Sequence, residues 1–159
     1  MSRKLVAYFS ASGVTEKVAK ALAEAIHADV CEIEPKVRYT RADLDWTNSR
    51  SRSTIEMKNP ASRPEITGNV PDMAAYDVLF VGFPIWWYVA PTIVNTFLER
   101  LKLEGKTVVP FATSGGSGMG KTNAALAPSC PGATLLDGRV LKANASREEL
   151  AAWVEGLKV

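Results

Sequence analysis

The sequence predicts an α/β fold, a three-layer domain in which a doubly wound five-stranded parallel sheet carries helices on both faces. Two observations lead to this prediction. Short continuous apolar runs, the pattern of strands covered on both faces, alternate along the chain with amphipathic helical patterns. The chain has 159 residues, of which 47% are hydrophobic and 23% charged, so it can bury a sizeable core. We therefore predict a single domain over residues 1–159.

The beginning of the chain predicts a strand, a helix and a second strand. The continuous apolar run Leu5–Phe9 is typical of a central parallel strand. Val18, Leu22 and Ile26 then lie on one stripe at helical spacing, which predicts an amphipathic helix. A weaker apolar run, Val30–Ile33, supplies the second strand.

Residues 35–72 interrupt this alternation. The segment is rich in Arg, Ser, Asn and Pro, and its scattered apolar anchors are Ile55, Met57 and Ile66. Loops of this length inside a compact domain are often lids or binding loops. We expect an irregular insertion that is either disordered or borders the ligand site, and the sequence leaves open whether Trp46 reaches that site.

The second half of the chain returns to alternation. Val78–Phe83 and Thr107–Ala112 predict two more strands, and the fifth comes from Thr134–Leu136 with Arg139–Leu141. Because proline lacks the N–H that a sheet ladder uses, Pro110 indicates a position near a strand end or at a sheet edge. Helical stripes accompany these strands: Ile93, Val94, Phe97, Leu98 and Leu101; Ala124, Ala125 and Leu126; and Leu150, Trp153, Val154 and Leu157.

A hydroxyl-rich turn, the first loop, lies between the first strand and the first helix. Doubly wound sheets bind ligands at the carboxyl ends of their strands, so this turn is well placed. Its backbone N–H groups, its hydroxyls and the helix N-terminus can all bind a phosphate. Its residues are Ser10, Ala11, Ser12, Gly13, Val14 and Thr15. The alternative is a plain helix cap made by Ser12.

Two further loops follow strands at the same edge. The second loop holds adjacent tryptophans that cannot both enter one core face, and flat aromatic rings suit a planar ligand. Its residues are Pro84, Ile85, Trp86, Trp87 and Tyr88. The third loop is rich in glycine, which lets backbone amides approach the edge of a ligand. Its residues are Thr113, Ser114, Gly115, Gly116, Ser117 and Gly118.

With these three loops in this order, the chain resembles the flavodoxins, and in particular the branch with a long insertion after the second strand and loops of PIWW and TSGGS sequence. The resemblance covers nearly the whole chain and implies strand order 2-1-3-4-5. It implies FMN as the cofactor, with its phosphate on the first loop and its isoalloxazine ring on the second and third. Val14 departs from the pattern, since many flavodoxins have asparagine there.

The resemblance also implies a function in electron transfer. We expect a redox partner protein or a small electron acceptor, a monomer or weak dimer, and no side chain that must act as a catalytic acid or base, because the cofactor carries the chemistry. An NAD(P)H-dependent FMN reductase of quinones or dyes is an alternative, and so is a flavin-binding regulator without turnover.

A third alternative is a nucleotide-binding P-loop. Gly115, Gly120, Lys121 and Thr122 satisfy the pattern GxxxxGKT between a predicted strand and a predicted helix. The strands ending at Phe9 and Phe83 do not supply the metal-binding aspartate that such sites use. We therefore rank this alternative below the flavin-binding ones.

Charge and cysteine content argue against other classes. The net charge is only +2, without a block of like charges interleaved with aromatics, so nucleic-acid binding is not expected. We find no leader sequence and no apolar run of membrane-spanning length, and expect a cytoplasmic protein without a membrane partner. Cys31 and Cys130 form no CxxC pair and His27 is the single histidine, so neither a metal site nor a disulfide framework is predicted.

Overall fold

The computed structural model describes residues 3–68, 70–114, 116 and 118–159. Within these residues six strands form one sheet, and all of their pairings are parallel. The strands are β1 (Lys4–Tyr8), β2 (Asp29–Glu32), β3 (Val78–Pro84), β4 (Thr107–Thr113), β5 (Thr134–Leu135) and β6 (Arg139–Val140). The order across the sheet is β2-β1-β3-β4-β5, and β6 pairs with β4 as well. The predicted order 2-1-3-4-5 is confirmed.

Five α-helices lie in the described part of the chain. They are α1 (Val14–Ile26), α2 (Arg52–Lys58), α3 (Thr92–Glu99), α4 (Thr122–Leu126) and α5 (Arg147–Leu157). All but α2 follow the predicted apolar stripes. None of these helices is long and apolar enough to cross a membrane.

The sheet is buried on both faces. Leu5 and Ala7 of β1 belong to one core cluster together with residues of α3 and α4, whereas Val6 and Tyr8 belong to a second cluster with residues of α1 and α5. Successive side chains of a strand point to opposite faces, so a strand between two helical layers needs apolar residues at every position. This is why the central strands read as continuous apolar runs, and it confirms the doubly wound class.

The prediction that Pro110 marks a strand end or a sheet edge is wrong, because Pro110 lies in the middle of β4. The carbonyl oxygens two residues before and after it, those of Val108 and Ala112, accept hydrogen bonds from the N–H groups of Leu136 and Leu141. The backbone of Pro110 faces the same side. The fifth strand is interrupted there, between β5 and β6, so the missing N–H of Pro110 lies opposite a gap in the ladder.

The insertion is more ordered than the sequence indicates. An antiparallel bridge between Pro35 and Ile66 closes its base, and α2 lies within it. Ile66 is a buried anchor as expected, but Ile55 is 57% exposed and does not act as one. An aromatic residue, Tyr39, packs against the core in its place.

Candidate functional site

The first loop forms a tight turn at the start of α1. Gly13 is the N-cap residue of α1 and has a φ of 95°, a conformation that favours glycine. Its N–H donates a hydrogen bond to the Ser10 hydroxyl oxygen at 3.0 Å, which closes the turn. No side chain caps α1, so the alternative of a plain cap by Ser12 is wrong. Ser12 is exposed, and the N–H groups of the first helical turn point toward the carboxyl edge of the sheet without a side-chain cap.

Thr15 connects the first loop to the third. Its hydroxyl is buried and lies 2.7 Å from the hydroxyl of Thr113 at the end of β4, so the two form a hydrogen bond. Both side chains are at least 94% buried, because their exposed fractions are 2% and 6%. The pair fixes the distance between two of the three predicted binding loops. The Thr15 hydroxyl therefore connects two loops and is not exposed to solvent.

The second loop is a two-residue hairpin turn with an unusual composition. Trp86 and Val89 exchange both backbone hydrogen bonds, at 2.9 and 3.2 Å, and the two residues between them, Trp87 and Tyr88, have φ values of 50° and 67°. A turn with left-handed conformation at both central positions is usually made by Asn-Gly or Gly-Gly, since a side chain is strained there. Two large aromatic residues in this conformation indicate a site with a functional constraint.

The third loop and the residues after it hold this turn in place. The N–H of Ile85 donates to the carbonyl oxygen of Thr113 at 2.9 Å, and the N–H of Lys121 donates to that of Tyr88 at 3.1 Å. Gly120 packs so closely that a Cβ there would lie 2.3 Å from the Tyr88 carbonyl oxygen. The Gly-Lys part of the GxxxxGKT pattern therefore supports the aromatic turn.

The same geometry argues against a nucleotide-binding P-loop. In a P-loop, the hydroxyl that follows the lysine faces a metal ion. Here Thr122 is completely buried and its hydroxyl donates to the carbonyl oxygen of Met119 at 2.5 Å. Gly115, the first residue of the pattern, lies outside the described residues. The P-loop interpretation is not supported.

The three loops border one cavity of about 380 Å³, which we name the inner cleft. Its lining residues are Ser12, Val14, Pro84, Ile85, Trp86, Thr113, Ser114 and the segment Val140–Ala143. A volume of this size suits a small-molecule ligand. The structure thus brings residues of all three predicted loops to one place.

The remaining predicted residues lie around this cleft or beyond it. Trp87 and Tyr88 line a neighbouring cavity, while Ser10, Ala11, Gly13 and Thr15 belong to the first loop but do not line the cleft. Gly116 and Gly118 are exposed in the third loop. Gly115 and Ser117 lie outside the described residues, so their predicted contacts stay predictions.

A second cavity of about 440 Å³ adjoins the inner cleft, and we name it the aromatic cavity. Its lining residues are Trp46, Ile85, Trp86, Trp87 and Tyr88. Ile85 and Trp86 line both cavities. Trp46 comes from the insertion, so the insertion lines a cavity beside the inner cleft, while its contact with a ligand stays a prediction.

Tyr39, also in the insertion, supports the second loop, and sequence reasoning missed it. Its ring makes edge-to-face contacts with Trp86 at 5.7 Å and Phe9 at 5.4 Å between centroids. Its hydroxyl donates to Glu56 at 2.5 Å, and the Arg52 guanidinium lies 3.7 Å over its ring. Burial, together with the bond to the Glu56 carboxylate, raises the pKa of Tyr39 far above its ordinary range, so the phenol stays protonated. The only available signal was an aromatic residue in a polar segment.

The end of β6 and the residues after it were missed as well. Val140–Ala143 line the inner cleft, and Lys142 is the cation among them. Because the fifth strand is interrupted, its second half, β6, carries this segment to the same edge of the sheet as the three loops. The short apolar run Arg139–Leu141 predicted the strand but gave no signal that its end borders the cleft.

We find neither a reactive thiol nor a metal-binding cluster among the described residues. They contain no group of three or more His, Cys, Asp or Glu side chains arranged to hold a metal. Both cysteines are free thiols. Burial raises the pKa of Cys31 to about 11 and also raises the pKa of Cys130, so both are protonated at neutral pH.

We expect both thiols of the folded protein to react slowly with iodoacetamide at pH 8, because the thiolate is the reactive form. Alkylation of Cys31 should accelerate only as the pH approaches about 11. A raised pKa favours the folded state below the pKa of the unfolded thiol, and this contribution is lost as the pH rises through about 11. Mass spectrometry of the Cys31→Ser and Cys130→Ser variants gives the alkylation rate of the cysteine that remains in each variant. Equal rates with and without urea would contradict the burial.

The fold and the site together define a class of protein. It is a doubly wound α/β protein with a cleft at the carboxyl edge of its sheet, where an uncapped helix N-terminus and an aromatic loop meet. A sequence profile of the family described as Flavodoxin matches residues 3–157. This chain belongs to the flavodoxin family.

This chain is also similar to solved structures and, over part of its length, to a curated relative. A protein from Bacteroides eggerthii described as a flavoprotein is 46% identical, with a TM-score of 0.94 over 100% of this chain and 99% of that chain. A flavoprotein from Lactobacillus acidophilus, solved in complex with FMN, has the same fold at 22% identity and a TM-score of 0.70, over 97% of this chain and 99% of that chain.

The curated relative is the uncharacterized NAD(P)H oxidoreductase YcaK of Escherichia coli. It is 31% identical over 86 residues, which are 50% of this chain and 43% of that protein. The match therefore spans less than half of the relative.

Proposed function

We propose that this protein binds one FMN in the inner cleft and transfers electrons through it, as a single domain. The observation that carries the proposal is the convergence of three loops on one cleft at the carboxyl edge of the sheet. Membership of the flavodoxin family supports FMN as the cofactor. The neighbour of 46% identity that is described as a flavoprotein supports it further.

The first loop fits the phosphate of FMN. The N–H groups at the start of α1 have no side-chain cap, and the helix dipole favours an anion there. Ser12 is exposed and adds a hydroxyl donor, while Gly13 gives the turn its left-handed conformation. Thr15 contributes its backbone N–H, because its hydroxyl is already bonded to Thr113. Valine instead of asparagine at position 14 does not remove the backbone N–H donors or the Ser12 hydroxyl.

The second and third loops fit the isoalloxazine ring. Pro84, Ile85 and Trp86 supply flat and apolar surface to the inner cleft, and Thr113 and Ser114 are polar residues of its lining. When bound, FMN accepts electrons one or two at a time. The protein binds and orients the ring and limits the access of water. The remaining third-loop residues are proposed to bond the ring edge through their amides.

The electron partner is proposed to be a redox protein or a small acceptor. The partial similarity to an NAD(P)H oxidoreductase favours a second candidate function, an NAD(P)H-dependent FMN reductase. Addition of NADPH or NADH to the FMN-loaded protein without oxygen separates the two. Rapid bleaching of the flavin absorbance indicates a reductase, whereas reduction only by a partner protein indicates a carrier. The cytoplasmic location stays a prediction from the sequence.

We expect Ser12→Ala to weaken FMN binding about tenfold while riboflavin binding stays within twofold, since a hydrogen bond to a charged group contributes about 1.5 kcal/mol or more. Titration of the unloaded protein with each ligand, followed by flavin fluorescence, gives both dissociation constants. Ser49→Ala is the matched control, because Ser49 is exposed and lines neither cavity. Equal losses for the two ligands would contradict a phosphate role for the first loop.

Retention of the cofactor is the direct test of the proposed function. After addition of FMN and desalting, the protein should keep the flavin absorbance bands near roughly 370 and 450 nm, in keeping with flavin as its redox group. A colourless protein after this treatment would overturn the proposal.

A further inference from the structure

The aromatic cavity displays large apolar rings to solvent, which folding alone does not explain. The exposed fraction is 72% for Trp46, 65% for Tyr88 and 43% for Trp87. These residues come from two segments that are far apart in the sequence, the insertion and the second loop. Clustered exposed aromatic surface is typical of a binding site.

The backbone is strained at two aromatic residues of the second loop that line this cavity. Trp87 and Tyr88 both have positive φ, a conformation that is strained for residues with a side chain. The strain gains no core packing, because neither residue belongs to a hydrophobic core cluster. Gly120 and Lys121 hold the turn from the opposite side through the Tyr88 carbonyl group. A strained turn of exposed aromatics held in this way indicates selection for a ligand.

The aromatic cavity also adjoins the proposed flavin site. Ile85 and Trp86 line both cavities, so ligands in the two cavities would contact the same residues. Trp86 is positioned by Tyr39 and Phe9 on its remaining edges. This arrangement suits two ligands that exchange electrons over a short distance.

We propose that the aromatic cavity binds the electron acceptor and that this acceptor is a neutral planar molecule of the quinone class. None of the five lining residues is charged. A nicotinamide dinucleotide carries a diphosphate, which is normally bound by cations or helix N-termini, and these lining residues offer neither. A quinone offers a flat ring for the indoles of Trp46 and Trp87.

This inference rests on the proposed function. In the reaction, the quinone takes up two electrons and two protons and becomes the hydroquinone, while reduced FMN returns to the oxidised form. The electrons enter beforehand from a reductant of the dithionite or nicotinamide class. Trp46 is a binding residue for the quinone, because it lines the aromatic cavity and does not line the inner cleft.

The test measures binding and turnover separately, with menadione as the quinone. Equilibrium dialysis of menadione against oxidised, FMN-loaded protein should give an affinity that Trp46→Ala lowers about tenfold, because an aromatic contact of this kind is lost. FMN affinity should stay within twofold. Ile55→Ala is the matched control, since Ile55 is an exposed apolar residue of the same insertion that lines neither cavity.

A second measurement uses the reduced protein. After reduction by dithionite without oxygen, reoxidation by menadione should be about tenfold slower in Trp46→Ala, following the lost binding contact. Reoxidation by ferricyanide, a small anion that needs no aromatic cavity, should not change. Trp46→Phe should retain most of the wild-type rate, because the flat ring is kept.

The outcomes separate this inference from the proposed function. Retained FMN without menadione binding would overturn the quinone site and leave the proposed function intact. An equal loss of FMN and menadione affinity in Trp46→Ala would place Trp46 against the flavin and also overturn the inference. NADH that binds more tightly than menadione, and is released by the same substitution, would overturn the quinone class. Loss of FMN binding by the wild type would mean that the proposed function itself has failed.

Discussion

Gly82→Ala should lower the free energy of unfolding by about 3 kcal/mol, the upper end of what overpacking a core produces. Gly82 lies in β3 directly opposite Phe111 of β4, and the Phe111 ring folds over it. A Cβ at Gly82 would lie 2.2 Å from the Phe111 Cζ atom and 2.3 Å from Cε2. Phe111 is completely buried, so its ring cannot move aside. Because domains are stable by about 5–15 kcal/mol, this is a large share.

Chemical denaturation followed by circular dichroism measures this change. Gly156→Ala is the control, since Gly156 lies exposed in α5 and a Cβ there would have open space around it. Alanine at this helical position should stabilise the protein by about 0.5–1 kcal/mol. Phe111→Leu in the Gly82→Ala background should restore part of the stability, because the smaller side chain makes room. A Gly82→Ala variant as stable as wild type would contradict the close contact.

Gly120→Ala should have the second-largest effect, a loss of about 2–3 kcal/mol of stability together with weaker FMN binding. Its φ of 55° disfavours a side chain, and a Cβ would lie 2.3 Å from the Tyr88 carbonyl oxygen. The aromatic turn must therefore shift, and the shift should carry Trp86 with it. We expect FMN affinity to fall about tenfold, since displacing a binding residue by about 1 Å is costly.

The control for Gly120→Ala separates the effect of the left-handed backbone conformation from the effect of the steric clash with Tyr88. Gly105 also has a left-handed φ, of 77°, but no atom lies within 4 Å of a Cβ there. Gly105→Ala should lose only about 1 kcal/mol and leave FMN affinity unchanged. Thermal melts and FMN titrations of both variants check this. Equal effects of the two substitutions on FMN affinity would show that the contact with Tyr88 does not position the site.

The sequence predicted the fold well because its strongest signals are local. A run such as Leu5–Phe9 is apolar at every position because it lies between two helical layers, and that pattern specifies both the strand and its burial. The positions of the three loops followed from the same alternation, since loops after parallel strands meet at one edge. The position of the inner cleft was therefore predicted from where the strands end in the sequence, rather than from sequence motifs.

What the sequence could not predict depends on contacts between distant segments. Tyr39 supports Trp86 from a distant part of the chain, and an aromatic residue in a polar segment does not show which residue it contacts. Thr15 reads as an exposed phosphate ligand, yet its hydroxyl is buried against Thr113. The sequence around Pro110 predicts a strand end, because the interruption between β5 and β6 that accommodates this proline lies in another part of the chain. Local pattern carries none of this information.

The interrupted fifth strand has a consequence for how molecules of this protein meet one another. An edge strand with a long row of unpaired N–H and C=O groups is a template onto which another chain can add a strand, the first step toward aggregation. Here the outer edge consists of two segments of two residues each, β5 and β6, separated by residues 136–138. Neither segment is long enough to seat an incoming strand. The gap that accommodates Pro110 thereby also guards this side of the sheet against edge-to-edge association in a crowded solution.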